Sequence, residues 1–187
     1  MPVDLKQFSN PAYKPGSKVK RAFWFLFNAF FLRNPYNPFG GIKRGVLRMF
    51  GAKIGKGVVI KPAVNIKYPW FLTIGDNSWI GENVWIDNLG KVEIGPNVCI
   101  SQGALILCGN HDYKKRTFDL IVGDIVLEDG VWIGAQSIVT GNVRCESHAI
   151  LIAGSVASND LNSYSIYRGN PAELIRERKM EDSAEKE

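Results

Sequence analysis

The sequence predicts an all-β chain wound as a parallel β-helix, a triangular solenoid of short strands, and three observations predict it. Aliphatic residues recur every six positions from Ile54 onward. The same positions recur every twenty: Ile54, Ile74 and Ile94; Ile60, Ile80 and Ile100; Ile66, Ile86 and Ile106. The fifth residue of most units is small or β-branched, as at Val58, Ser78, Val98, Ala104 and Ser137, and Gly, Asn or Asp tends to precede it. A period of six fits neither the 3.6 of a helix nor the 2.0 of a simple strand. Self-similarity at a fixed longer period marks a solenoid whose coils stack on one another. Three six-residue faces make one coil, with the aliphatic residue pointing inward and successive coils ~4.8 Å apart. Two extra residues on each third face, in "YPWFLT" and "LGKVE", read as a bulged corner.

Residues 1–51 form a separate basic, apolar helical segment. Residues 1–56 carry eleven Lys/Arg against Asp4 alone, net +10, whereas 57–187 carry twelve against seventeen acids, net −5. The run "AFWFLFNAFFL" (22–32) lies in a helix predicted over 18–33 that is apolar almost all round apart from Asn28. Its eleven residues fall short of the ~20 a spanning helix needs. "RNPYNP" follows it instead of a small-residue cleavage site, so no secretion signal is expected. "NPYNPFGG" (34–41) breaks the helix, and "IKRGVLRMFG" (42–51) predicts a second one ending at Gly51. An open solenoid must cover its edge strands, and a helix apolar all round is buried or in lipid. Two readings follow. Phe23, Trp24, Phe27 and Phe31 cap the solenoid, or the segment docks at an anionic membrane face.

The solenoid domain occupies 52–168, and the only long break in its rhythm is an extended loop over 109–126, "GNHDYKKRTFDLIVGDIV". After it the repeat resumes at Leu127, Ile133, Val139, Cys145 and Leu151. Residues 169–187 are read as a short C-terminal helix, started by Pro171 at its first position, with "EDSAEKE" as a frayed tail. Cys99, Cys108 and Cys145 form no CxxC pair, which fits reduced thiols in a cytoplasmic protein.

The hexapeptide units, the "GNHD" loop and the late "YRGNPAELIRER" together resemble the left-handed parallel β-helix acyltransferases across residues 50–178. The stretch "MFGAKIGKGVVIKPAVNIKYPWFLTIGDNSWIGENVWIDNL" is similar to the colanic-acid-biosynthesis acetyltransferases, relatives of the galactoside and maltose O-acetyltransferases. The resemblance implies left-handed winding, a homotrimer, and active sites in the clefts between adjacent prisms. It also implies acetyl-coenzyme A as donor, a sugar or glycan acceptor belonging to a surface polysaccharide or its precursor, and no metal.

Moving an acetyl group from a thioester to a sugar hydroxyl requires three things: the hydroxyl must lose its proton, the tetrahedral oxyanion must be stabilised, and the two substrates must be held together. An unperturbed histidine, pKa ≈ 6.5, suits the first task. His111, one of only two histidines in the chain, matches the family's catalytic histidine and is assigned as general base. Asn110 and Asp112 flank it as acceptor-binding or imidazole-orienting groups, although an Asx turn is an equal reading of Asp112. Asp87, Asn88 and Glu82 are the acceptor-side candidates. Trp132 matches a residue lining the pantetheine passage in the galactoside relatives, or is a trimer-interface aromatic. Backbone N–H groups of "IAGSVAS", with Ala153, Gly154 and Ser158, resemble the stretch that bonds pantetheine amides. Asn159 stands where many relatives carry lysine. Arg168, Asn170 and Pro171 belong to the "RGNPA" hallmark, and Arg176 and Arg178 are further phosphate partners or a solvated face.

Four alternatives stand beside this reading. Cys108, three residues before His111, raises an acetyl-cysteine route, whereas the family transfers directly. A streptogramin-type antibiotic acetyltransferase shares fold and histidine, and a scaffold would keep the solenoid without chemistry. A γ-class carbonic anhydrase needs three metal-binding histidines across a trimer interface, and here only His148 accompanies His111. Nucleic acid is not expected, because the basic residues sit beside an apolar helix and not in a binding motif.

Overall fold

A computed structural model describes residues 2–181, and the proposed tail residues 182–187 lie outside the described part. Three parallel sheets form the faces of a prism. The first holds Lys53–Ile54, Leu72–Ile74, Val92–Ile94, Ile125–Leu127 and Arg144–Cys145. The second holds Val59–Ile60, Trp79–Ile80, Cys99–Ile100, Trp132–Ile133, Ile150–Leu151 and Ser165–Gly169. The third holds Asn65–Ile66, Trp85–Asp87, Leu105–Leu107, Ile138–Thr140 and Val156–Ala157.

Register explains the twenty-residue period: Ile54 pairs with Ile74 and then Ile94, and Ile66 with Ile86 and then Ile106. Identical residues stack into inward columns, so Ile66, Ile86, Ile106 and Val139 are each fully buried. The small fifth residues, Val58, Ser78, Val98, Ala104 and Ser137, are buried beside them. Corners turn through the left-handed backbone region at the fourth position, where Gly57, Asn77, Asn83, Asn97, Gln136 and His148 all have positive φ. Asn and Gly adopt that conformation with least penalty.

The helical segment seals the open end. A helix runs over Lys18–Phe27, continues as one π turn over Asn28–Leu32, and is followed by a second helix over Gly40–Met49. Within the solenoid, N–H groups in and beside the strands donate to carbonyls one coil on, for example Gly55 to Ile74, Val59 to Ser78, Lys61 to Ile80 and Lys67 to Ile86. The equivalent carbonyls of the first coil, those of Ile54, Val58, Ile60 and Ile66, have no coil beneath them. Four side chains donate in its place. Arg48 Nη2 reaches Ile54 O (2.8 Å) and Arg44 Nη1 reaches Val58 O (2.8 Å). Lys43 Nζ reaches Ile60 O (3.4 Å) and Lys61 O (2.8 Å), and Trp24 Nε1 reaches Ile66 O (2.9 Å). Buried carbonyls demand such partners, and Lys43 is fully buried to provide one. Three cations of the basic N-terminal segment are therefore spent on backbone.

The helix is also not enclosed all round. Trp24, Asn28 and Leu32 are buried and Phe27 and Phe31 pack on the core, while Val19, Phe23, Leu26 and Phe30 are more than half exposed.

The C-terminal helix is not formed. Ala172–Glu177 is instead a β-strand, paired antiparallel with Ser165–Gly169 across the turn at Asn170–Pro171. "AELIRE" has good helix formers, but the second face ends here with an unpaired edge. Ladder hydrogen bonds along that edge outweigh a few tenths of a kcal/mol of propensity per residue.

Candidate active site

The predicted loop is a β-hairpin that leaves the prism at the corner between the third and first faces. Gly109–His111 pairs antiparallel with Leu120–Val122, His111 opposite Leu120. It is rooted at two tight places: a Cβ on Gly109 would lie 2.6 Å from Leu89 Cδ1, the end of a flexible side chain, and one on Gly123 2.5 Å from the Asn142 backbone nitrogen. At Gly123, where the obstacle is backbone, only glycine fits.

His111 is half-buried and held on two sides. Its Nδ1 lies 2.8 Å from the Phe118 carbonyl oxygen. A carbonyl only accepts, so Nδ1 carries the proton and Nε2 presents its lone pair. The Phe118 ring stacks on the imidazole at 4.3 Å and 8°. Phe118 itself has φ +51°, a costly conformation for a large residue. No periodicity in the sequence pointed to Phe118, since its contribution is a backbone carbonyl and a ring face. Phe8, in the N-terminal arm, also approaches the imidazole, tilted at 58° with ring centroids 5.9 Å apart. The arm is tied to the hairpin by Asp4, whose N–H donates to Arg116 O (3.0 Å) and whose carboxylate pairs with the Arg116 guanidinium (3.3 Å).

The flanking candidates divide. Asn110 Oδ1 accepts the His111 N–H (2.7 Å). Asp112 Oδ1 accepts the Lys114 N–H (3.1 Å), the Asx turn that was its alternative reading. Asp87 sits at the same corner, in register with Leu107. It is almost fully buried, and its Oδ1, a buried atom with no hydrogen bond among the described residues, faces the Lys67 ammonium at 3.4 Å. Tyr13 joins this corner through a 2.8 Å bond from its hydroxyl to Leu89 O, and burial beside Tyr68 and Asp87 pushes its phenol above the ordinary value. Asn88 is withheld from any ligand, being fully buried with its amide clamped on the Tyr68 N–H (3.0 Å) and carbonyl (2.6 Å). Cys108 is buried, and that burial pushes its thiol up to about 12, which removes the thiolate an acetyl-cysteine route needs.

The remaining candidates lie elsewhere on the prism. Glu82 is exposed at the corner between the second and third faces, beside Ser101 and Cys99 in an open groove. Trp132 is half exposed on the second face, its Nε1 donating to Ser101 Oγ (2.9 Å). Ala153 and Gly154 turn the second–third corner two coils beyond Ser101. The Gly154 N–H is used by Ala135 O (2.8 Å), and no backbone bond of this turn uses the exposed Ala153 N–H. Ser158 is exposed just past the third face. Arg168 and Arg176 are exposed on the closing hairpin, whose turn is Asn170–Pro171. Arg178 is partly committed to backbone: its Nη1 donates to Gly130 O and His148 O, both at 3.1 Å, which leaves its Nε and Nη2 edge for a phosphate. His148 turns the first–second corner, away from the His111 corner, with its ring stacked on Tyr164 at 4.7 Å.

One chain thus presents the histidine and Asp87 on one edge and the Trp132–Ala153 set on another. Among the described residues no helix is long and apolar enough to cross a membrane.

No family model matches the chain. WcaF of Escherichia coli, which bears the name of a colanic acid biosynthesis acetyltransferase, is 35% identical over 176 residues, spanning 94% of this chain and 97% of its own. A hexapeptide-repeat acetyltransferase of Vibrio cholerae, solved with acetyl-coenzyme A, has a TM-score of 0.80 at 21% identity over 94% of this chain and 97% of that one. A maltose O-acetyltransferase of Clostridium difficile gives 0.74 at 21% identity, over 94% and 96%. At such identities the two solved structures speak for the fold.

Proposed function

We propose, for a chain that belongs to the hexapeptide-repeat acetyltransferases and takes acetyl-coenzyme A as donor, that the acceptor is a sugar hydroxyl of a surface polysaccharide or its precursor. His111 is the general base. The observation that carries this reading is the 2.8 Å contact from His111 Nδ1 to Phe118 O, which leaves Nε2 free to take a proton. The acceptor O–H gives its proton to Nε2 as the oxygen attacks the thioester carbonyl. The resulting oxyanion is met by a backbone donor, for which the exposed Ala153 N–H is the candidate. Collapse of the intermediate breaks the C–S bond, and the imidazolium returns the proton to the departing thiolate. Asp87, at the same corner as the hairpin that carries His111 and ion-paired with Lys67, orients the acceptor hydroxyl.

Because the two halves of this machinery lie on different edges of one prism, the working unit is a homotrimer. One copy supplies His111 and Asp87, and its neighbour supplies Trp132 and Ala153. Arg168, Arg176, Asn170 and Ser158 line the coenzyme end. The test is thiol release from acetyl-coenzyme A across a panel of sugars and glycolipid precursors. Acceptor-dependent release is expected. Absence of any coenzyme A binding would return the chain to the scaffold reading.

Peripheral contact with an anionic membrane is a narrower reading, supported by the exposed stripe of Val19, Phe23, Leu26 and Phe30 and weakened by the use of Lys43, Arg44 and Arg48 on backbone. Co-flotation of the full chain with anionic vesicles is expected to drop in a Phe23→Glu, Phe30→Glu double variant. Flotation unchanged by those substitutions removes the contact.

A further inference from the structure

Between the apolar helix and the third face lies a cavity of about 300 Å³ that none of the catalytic roles above uses. Its walls bring together three cations, Arg21, Arg33 and Lys67, with Asn28, Tyr68 and Trp85. Across the described residues neither Arg21 nor Arg33 has an ion-pair partner, and Lys67 has only Asp87. Two polar atoms are buried here without a hydrogen bond: Arg21 Nε and Asn28 Oδ1. A buried unpaired guanidinium nitrogen is costly unless something else fills its place.

The backbone is also shaped around the cavity. The Arg33 N–H donates to Asn28 O at 2.8 Å, a five-residue step that closes the π turn. Both end residues of that turn line the cavity. Single π turns are rare and recur at functional sites. This one sets the chain so that an amide and a guanidinium face the same space.

Arginine forks match phosphoryl oxygens, and lysine adds a point charge. Trp85 and Tyr68 offer apolar ring faces next to those charges. Trp85 lies two residues before Asp87 on the same strand, ~7 Å along it, and Lys67 spans from the cavity to the Asp87 carboxylate at 3.4 Å. A ligand held by its phosphoryl group in this cavity can therefore extend a sugar along the third face towards Asp87 and the hairpin that carries His111.

We propose that this cavity binds the phosphoryl or diphosphoryl group of the acceptor, so that the enzyme acetylates an activated sugar phosphate and not a free sugar. The proposal rests on the acetyl-transfer reading for its purpose but not for its test. Two sources share this chemistry, a nucleoside-diphosphate sugar and a lipid-diphosphate sugar. In the second case the lipid would run onto Leu26 and Phe30, which are exposed beside the cavity wall formed by Phe25.

The experiment is calorimetric titration of the full chain, with saturating coenzyme A present so that the donor's own diphosphate site is filled. The probes are inorganic pyrophosphate, UDP-glucose, farnesyl-diphosphoglucose in detergent, and methyl glucoside. Pyrophosphate and one or both diphospho-sugars are expected to bind, with methyl glucoside much weaker. Arg33→Ala and Lys67→Ala are each expected to weaken the phosphorylated probes by ~10- to 100-fold, the range for a lost charge-assisted hydrogen bond, with coenzyme binding unchanged. The tighter of the two diphospho-sugars identifies the source. Pyrophosphate that fails to bind, or binds equally well to both variants, overturns the proposal. Loss of coenzyme A binding itself would instead count against the acetyl-transfer reading, because pyrophosphate titration needs no turnover.

Discussion

Replacing His111 with alanine is expected to lower kcat by ~10²- to 10⁴-fold, the usual contribution of a positioned general base. The KM for acetyl-coenzyme A should stay where it was, because the imidazole acts on a proton in flight and not on the bound donor. The thermal midpoint should also stay, since the ring is half-buried on a hairpin outside the prism. Thiol release under saturating donor, run beside the wild type, measures all but the last, which a melting scan supplies. Turnover that survives the substitution would remove His111 as the base. Phe118→Ala is the informative companion. It keeps the carbonyl that fixes the tautomer but removes the ring stacked at 4.3 Å, so its loss of kcat should be the smaller of the two.

The second large effect is on stability. Ile106 is fully buried in the inward column of the third face, between Ile86 and Val139. Ile106→Ala removes three carbons from a column that coils above and below hold at fixed spacing, so the hole cannot collapse. A cost of ~2–5 kcal/mol is expected, seen as a fall of roughly 4–20 °C in the melting midpoint for a chain of this length. Glu93→Ala, on an exposed position of a neighbouring strand, should stay within about 0.5 kcal/mol of wild type. Equal midpoints for the two variants would mean that the inward column does not govern stability.

The solenoid was legible because its signal is redundant. Ile60, Ile80 and Ile100 meet the same neighbours one coil apart, and the sequence repeats what the structure repeats. The first helix was legible for a similar reason, but its environment was not. Nothing local distinguishes Trp24, which is buried, from Phe23, which is exposed. Lys43 counted only towards the net charge of its segment, because a lysine whose job is to stand in for a missing backbone N–H carries no mark of it. At the C-terminus, local preference pointed the wrong way: "AELIRE" has helical composition, and only the unpaired edge beside Ser165–Gly169 makes a strand the better answer. In the candidate site the histidine was readable from its loop, and Asp112 from Asx chemistry. Phe118, Phe8 and Tyr13 were not, because they reach His111 or Leu89 through tertiary contacts that obey no spacing.

Arg44, Arg48, Lys43 and Trp24 imitate a coil that does not exist, and this has a consequence for assembly beyond the single molecule. A stack of parallel coils is a one-dimensional polymer of itself, and its bare lower edge would accept the upper edge of another copy as readily as it accepts its own next coil. With four of those carbonyls occupied by side-chain donors, that edge offers an added coil far fewer groups to bond to. The helical segment thus works against growth of the stack into a filament.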